Sequence, residues 1–322
     1  MRVFALLLLA ACSSLASQEA QRLAAYQRNA ALFFDGGKWA QAMIQIDRGL
    51  ELAPDDYKLN SMKGGILLLA ASQGDRTDRK QLDEATALLA THFESRSLDR
   101  HEPHLLLNYA RALQKQGLWR RGEAARLDGQ AGRATADAAA ALRRQADDER
   151  AQSNDLLLRA DTLLQALVER GEMLRFAQNH RLQIALQRGD DATFLAATKA
   201  YCEQSDKAQQ LTKARIDQAQ NVDFERQELD TLRELRAEEL EVRAVAAEFH
   251  FQRKQYAEAL VHLDRVLEVD PRRFIDYYNR GRVLLELGRA DDAKNDFRRF
   301  LADPATPMAS DRATFALRAL DR

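Results

Sequence analysis

The sequence predicts an all-α chain, a solenoid of short helix pairs interrupted by a long antiparallel coiled-coil hairpin. Three observations lead there. The 322 residues hold only 5 prolines and 14 glycines, and Ala, Leu, Arg, Glu and Gln dominate, so helix formers run with few breakers. Between Leu240 and Leu301 a pattern of small and apolar residues occurs twice, thirty-four residues apart. The stretch 135–245 contains no proline and spaces its apolar residues as heptads.

The repeated pattern carries most of the prediction. Ala247 recurs as Gly281, Ala259 as Ala293 and Leu263 as Phe297. Two small residues twelve apart, with aliphatics around them at helical spacing, describe a helix, a short turn and a second helix. The small side chains sit where the two helices cross, because close approach of two axes leaves no room for a branched residue. Pro271 ends the second helix and opens the next unit. The same offsets occur in Leu23 to Pro54, with Ala30, Gly37, Trp39, Ala42 and Ile46. Gly64 follows Ala30 by thirty-four and marks a second unit, whose turn is lengthened by Ser72 to Lys80 so that its second helix falls at Gln81 to Thr91. A third unit is expected from Pro103, with Ala110 and Gly122 as its small pair and Gly117 and Trp119 in its turn.

This pattern resembles the tetratricopeptide repeat, with three units in 23–134 and two more, followed by a capping helix, in 246–322. Ser310 and Asp311 begin that last helix, which offers Phe315, Leu317 and Leu320 for burial. The resemblance implies that protein partners lie along the concave surface of the first helices. By position that surface holds Gln27, Ala31 and Phe34, then His104, Leu107, Arg111 and Gln114, then Ala244, Glu248 and Phe251, and finally Tyr278, Arg282 and Leu285. The Lys and Asn arrangement with which some family members clamp a peptide's C-terminal carboxylate has no counterpart here, so chaperone-tail binding is not expected.

The segment 135–245 reads as the interruption. Leu156, Ala160, Leu163 and Leu167 follow a 4,3,4 spacing, and Leu211, Gln218, Val222, Leu229, Leu232 and Arg236 trace a weaker seam. Gly189, Asp190 and Asp191 combine a C-terminal glycine with N-capping carboxylates, so one helix ends there and another begins. Arms of nearly equal length about that turn suggest a hairpin of roughly 80 Å at 1.5 Å per residue. The alternative is a shorter bundle, with breaks at Gly171 and at Glu203 to Asp206. The second arm has no punctuation before Ala246 and is expected to run straight into the next repeat.

The N-terminus reads as an export signal. Arg2 precedes an apolar run, Val3 to Ala11, about half the length needed to span a bilayer. Leu9-Ala10-Ala11-Cys12 resembles the lipobox of bacterial lipoproteins, which implies a signal peptide over 1–11, a lipid on Cys12 and a tether over 12–22. A cut after Ala16 is the alternative. Ser13, where an inner-membrane retention signal would carry Asp, implies the outer membrane and a periplasm-facing protein. With Cys12 lipidated, only Cys202 remains, so no intramolecular disulfide is expected.

Chemistry is weakly represented. With 48 Lys and Arg against 49 Asp and Glu, scattered along the chain, no basic face invites nucleic acid. His101-Glu102-Pro103-His104 is the one histidine cluster, but a proline interrupts it and the imidazoles are three apart, so it reads as a polar turn rather than a metal site. Gly36-Gly37-Lys38 lacks the strand and the hydroxyl residue of a phosphate loop. No catalytic residue, cofactor or metal is expected. The reading is an envelope scaffold that binds a protein partner in assembly of a pilus, secretin, β-barrel or cell-wall machinery. The alternative is a structural protein that self-assembles through the coiled-coil arms.

Overall fold

The computed structural model describes residues 2–71, 78–94, 101–307 and 309–321, with the side chains of 2–16, 35, 92 and 94 outside the description. Among the described residues the chain forms thirteen helices and no strand. It divides into two compact units, Met1–Phe194 and Leu195–Arg322.

Three hairpins reproduce the predicted register to the residue. They are α1 (Arg2–Asp35) with α2 (Trp39–Leu52), α9 (Val222–Gln252) with α10 (Tyr256–Val269), and α11 (Phe274–Glu286) with α12 (Ala290–Leu301). In each, the first helix ends five residues after its small residue (Ala30, Ala247 or Gly281) and the second starts four residues later. The turn places the seventh residue after the small one at positive φ: Gly37 at 67°, Lys254 at 59° and Gly288 at 73°. Two copies supply glycine where an L side chain is strained, and the third tolerates a lysine. Ala30, Ala42, Ile46, Ala259, Ala293 and Phe297 are wholly buried at the crossings.

The second unit keeps the same crossing around its insert. In α3 (Tyr57–Ala70), a Cβ on Gly64 would come within 2.6 Å of Leu89 in α4 (Arg79–Glu94). Leu89 stands nine residues beyond the spacing found in the other copies, which is the length of Ser72 to Lys80. Part of that insert lies outside the described residues.

The third expected turn does not form. Instead α5 (Pro103–Ala131) is one helix of 29 residues, about 43 Å long at 1.5 Å per residue. Its antiparallel partner is α6 (Ala136–Glu169), reached through a tight connection at Gly132 to Thr135. Gly117, read from sequence as a turn glycine, is a crossing glycine: a Cβ there would meet Leu157 Cγ at 2.9 Å and the Ser153 carbonyl at 3.2 Å. The Ser153 hydroxyl donates to the Gly117 carbonyl at 2.7 Å. Gly122 meets nothing within 4 Å, so no second helix crosses there. Without a crossing partner, a cap or a proline, the helix continues.

The segment 135–245 is helical and built from four helices, with α6 paired to α5. Gly171 at φ 69° and Met173 at φ 48° end α6 and set off α7 (Leu174–Arg188). That break is the alternative reading of the first arm. Gly189 at φ 71° closes α7, and Asp190 accepts from the Thr193 amide at 3.0 Å, as read from sequence. The second arm, α8 (Asp191–Asp217) and α9, runs unbroken through Glu203 to Asp206 and parts at 218–221. Asn221 caps α9 there by accepting from the Asp223 amide at 2.7 Å. As expected, α9 continues without interruption into the repeat at Ala247.

Of the predicted seams, Ala160, Leu163 and Leu167 in α6 and Leu232 in α9 are buried, while Leu156 is only partly covered. In α6 the buried face holds Ala146, Ser153, Leu157, Ala160, Leu163, Leu164 and Leu167, packed against α5. In α9 it holds Glu228, Leu232, Leu235, Glu239, Val242 and Ala246, while Leu211 and Val222 are 64 % and 70 % exposed. Glu239 is fully buried and its carboxylate is satisfied on all sides. It accepts from Gln209 Nε2 at 2.5 Å and Arg243 Nε at 2.6 Å, with Arg265 Nε of α10 at 3.4 Å. Burial acts to raise its pKa, but the bonds from Gln209 and Arg243 and the two guanidinium charges hold it below the usual glutamate value. This carboxylate ties α8, α9 and α10 together.

The last helix, α13 (Asp311–Leu320), is capped by the Ser310 hydroxyl accepting from the Ala313 amide at 3.3 Å. It buries Ala313 and Ala316 rather than the predicted Phe315 and Leu317, which stay nearly half exposed. Phe315 instead lays its edge against Phe297 and Tyr278, with centroids 5.9 and 6.0 Å away.

The two α5 glycines should separate in a denaturation experiment. Gly117→Ala pushes Leu157 out of place and is expected to cost about 1–3 kcal/mol. Gly122→Ala adds a helix former at an open position and is expected to raise stability by about 0.5–1 kcal/mol. A loss of stability in Gly122→Ala would contradict its open position.

Candidate functional site

The first helices of the N-terminal unit enclose a groove of about 350 Å³, lined by Gln27, Arg28, Ala31 and Phe34 of α1, Lys58, Ser61 and Met62 of α3, and Glu102, His104 and Asn108 at the start of α5. The repeat register puts them there. Arg28, Met62 and Asn108 each stand two residues before the small residue of their helix, and Lys58 and His104 stand six before. A Cβ on Gly65 would meet Asn108 Nδ2 at 2.8 Å and Phe34 Cζ at 3.4 Å, so a bare backbone forms part of the floor.

The predicted residues do different jobs in this groove. Phe34 is half-buried and meets Trp39 edge to face at 5.2 Å. Gln27 donates to Asp56 Oδ2 at 2.7 Å, and Asp56 in turn caps α3 by accepting from the Leu59 amide at 2.9 Å. Gln27 thus serves the wall as well as the lining. His104 is exposed on the rim. Arg111 and Gln114 lie one to three turns further along α5, and Leu107 is buried in the core. Lys58, Ser61, Met62 and Asn108 were not singled out from sequence, although the offsets of minus two and minus six from Gly64 and Ala110 place Lys58, Met62 and Asn108.

His101 departs from the polar turn expected of its cluster. It is buried, stacks on Phe93 with centroids 4.5 Å apart, and faces the Tyr57 hydroxyl at 3.5 Å from its Nδ1. The same hydroxyl accepts from the Glu102 amide at 2.7 Å, which fixes the entry to α5.

The C-terminal unit brings together Ala244, Glu248 and Phe251 of α9 with Asn279 and Arg282 of α11, but around a cleft of only about 20 Å³. Such a volume holds about one water. The Arg282 guanidinium lies over Phe251, 4.2 Å from its centroid. Tyr278 is removed from any binding surface: it is 8 % exposed and packs among Phe297, Phe300 and Phe315. An aromatic at that helical position satisfies the core before it can face a partner.

The Cys12 side chain lies outside the described residues. No described helix is long and apolar enough to cross a membrane. Among the described residues no three His, Cys, Asp or Glu side chains gather as a metal site would require.

Beyond the groove, α5 meets α7 through polar groups. His180 Nδ1 lies 2.8 Å from Gln114 Oε1, and Gln114 Nε2 donates to Gln183 Oε1 at 3.2 Å. Burial, then Arg111 and Lys115, lower the His180 pKa to about 3. In the C-terminal unit, burial, then Arg243 and His250, lower that of His262 to about 4.

No family model matches the chain, and no curated protein matches it. Solved structures with similar folds include a tetratricopeptide repeat protein from Parabacteroides merdae, 14 % identical, covering 94 % of this chain and 98 % of that one with a TM-score of 0.38. Another is the assembly chaperone of RpL4, Acl4, 14 % identical, covering 92 % and 95 % at a TM-score of 0.40. A third is the tetratricopeptide domain of P58(IPK), 15 % identical, covering 97 % and 95 % at 0.26. The repeat character of this chain is carried by its own crossings, above all Gly64 against Leu89 and Gly281 against Phe297.

Both histidines are held neutral in the folded state, so the unfolded chain takes up protons first as pH falls. Stability is full above the unfolded value near 6.5 and is lost as pH drops from there toward 4 for His262 and 3 for His180. Urea titrations at pH 7 and 4.5 should show a loss on the order of 2 kcal/mol per histidine, and His180→Gln should remove part of that difference.

Proposed function

We propose that this chain is a protein-binding scaffold of the bacterial envelope, held at the outer membrane by a lipid on Cys12 and facing the periplasm. The groove on α1, α3 and α5 carries this reading. It has a mixed lining, with Phe34, Ala31 and Met62 beside Gln27, Ser61 and Asn108, the combination that holds an apolar anchor and orients a peptide backbone. The anchor reading rests on the Leu9-Ala10-Ala11-Cys12 motif. Several acyl chains at about 0.8 kcal/mol per buried methylene would make attachment effectively permanent. The scaffold assists assembly of an envelope complex of the pilus, secretin, β-barrel or cell-wall kind. In the self-assembling alternative, α6 contributes no free seam, because α5 already covers it.

A photo-crosslinking residue placed at Arg28 or His104 should yield an adduct with a different envelope protein, whereas one at the exposed Val261 should not. Cys12→Ser should move the chain from the membrane to the soluble fraction. Equal adducts from both positions would remove the groove from the account. Adducts with the chain itself alone would favour self-assembly.

A further inference from the structure

The structure assigns an anion subsite to the far end of this groove, formed by Arg111 and Lys115, and with it a class of partner: a peptide segment carrying an acidic side chain one or two residues from an apolar one. The inference rests on the groove being the binding surface and specifies what it takes.

His104, Asn108, Arg111 and Lys115 follow one another along α5 at spacings of four, three and four, so they form a single stripe on the groove side of the helix. The first two line the groove. The stripe then carries two cations, Arg111 and Lys115, for which the described residues supply no counter-charge. Arg111 is mostly buried and its Nε makes no hydrogen bond. Among the described residues neither Arg111 nor Lys115 forms an ion pair. Arg181 next to Asp161, Arg243 next to Glu239 and Arg280 next to Asp296 show what this chain does elsewhere with a guanidinium it covers: each has a carboxylate within 2.8 Å.

Among the described residues, both cations lie close enough to the neutral His180 to act on it. Gln114, Gln183 and Asn179 bond to one another and to His180. Burial lowers the pKa of Arg111 and of Lys115, and each cation acts on its neighbours: Arg111 on Lys115, and both on His180. A covered cation without a counter-charge is unfavourable in the free protein, and an incoming carboxylate relieves that cost. Asn108 and Phe34 both come against the Cβ position of Gly65, and Arg111 stands three residues beyond Asn108, about 4.5 Å along the helix. An apolar anchor against Phe34 and Met62 would then bring an acidic side chain one or two residues away beside Arg111.

The test uses the full chain with a positional-scanning library of fluorescein-labelled heptapeptides, amidated at the C-terminus so that only side chains supply carboxylates, and with inorganic phosphate alone. The expected result is preferred binding of peptides with Asp or Glu one or two residues from Leu or Phe. Arg111→Met should weaken these at least tenfold, as should Gln in place of the peptide's Glu, while Phe34→Ala weakens acidic and neutral peptides alike. Without peptide, Arg111→Met should melt at the same temperature or higher, since it removes an unpaired charge. A lower melting temperature would identify Arg111 as structural and overturn the proposal. Unchanged peptide affinity in Arg111→Met would overturn it and leave the groove standing. Absence of peptide binding would overturn both. Protection by phosphate with no preference among peptides would mark a free-anion site and contradict the peptide assignment.

Discussion

The architecture depends on one packing constraint: wherever two helices of this chain form a close hairpin, a small residue on the first must receive a large side chain from the second. Ala30 faces the helix that carries Ile46, Gly64 faces Leu89, Ala247 packs with Leu263, and Gly281 faces Phe297. Gly117 against Leu157 is the same device in the long α5 and α6 pair. A methyl group at Gly64, Gly117 or Gly281 would enter its partner's side chain, so each helix axis can lie where it does only because that side chain is missing. The groove follows from this constraint, because the crossings align the first helices and leave one face of each unpaired with a second helix.

Charge is distributed over this frame in two contrasting ways. Glu239 is taken fully out of water and surrounded by donors, so a carboxylate in the C-terminal unit acts as a fastener between three helices. Arg111 is also covered, yet among the described residues its Nε has no hydrogen-bond partner and no carboxylate pairs with it. The first arrangement completes itself within the chain and the second does not. Completeness of pairing, more than the number of charges, distinguishes a structural ion from one available to a partner.

Much of this was legible in the sequence. The offsets from Ala30, Ala247 and Gly281 place helix ends to the residue, because each copy contains both a crossing residue and a turn that must reach positive φ seven positions later. The insert in the second unit is read by its length, since Leu89 returns to register after nine residues. The third unit misleads for a physical reason: Gln116-Gly117-Leu118-Trp119 looks like Gly36-Gly37-Lys38-Trp39, and only the presence of α6 decides between a turn and a crossing. Burial of Glu239, His101 and Tyr278 was hidden in the same way, because local spacing does not say which neighbour covers a helix face. The break at 218–221 lacks glycine and proline, and its signal was Asn221 followed by acidic residues in the first turn of α9.

A double-mutant cycle at Gly281 and Phe297 tests the crossing constraint most directly. Gly281→Ala overfills the crossing and Phe297→Leu leaves it loose, so each alone should lower stability by about 1–3 kcal/mol. Together the added methyl occupies space that the smaller side chain vacates, and the pair should cost less than the sum by about 1 kcal/mol or more. Strict additivity would show that the two positions do not share a packing site, and would contradict the account of the fold on which the groove is built.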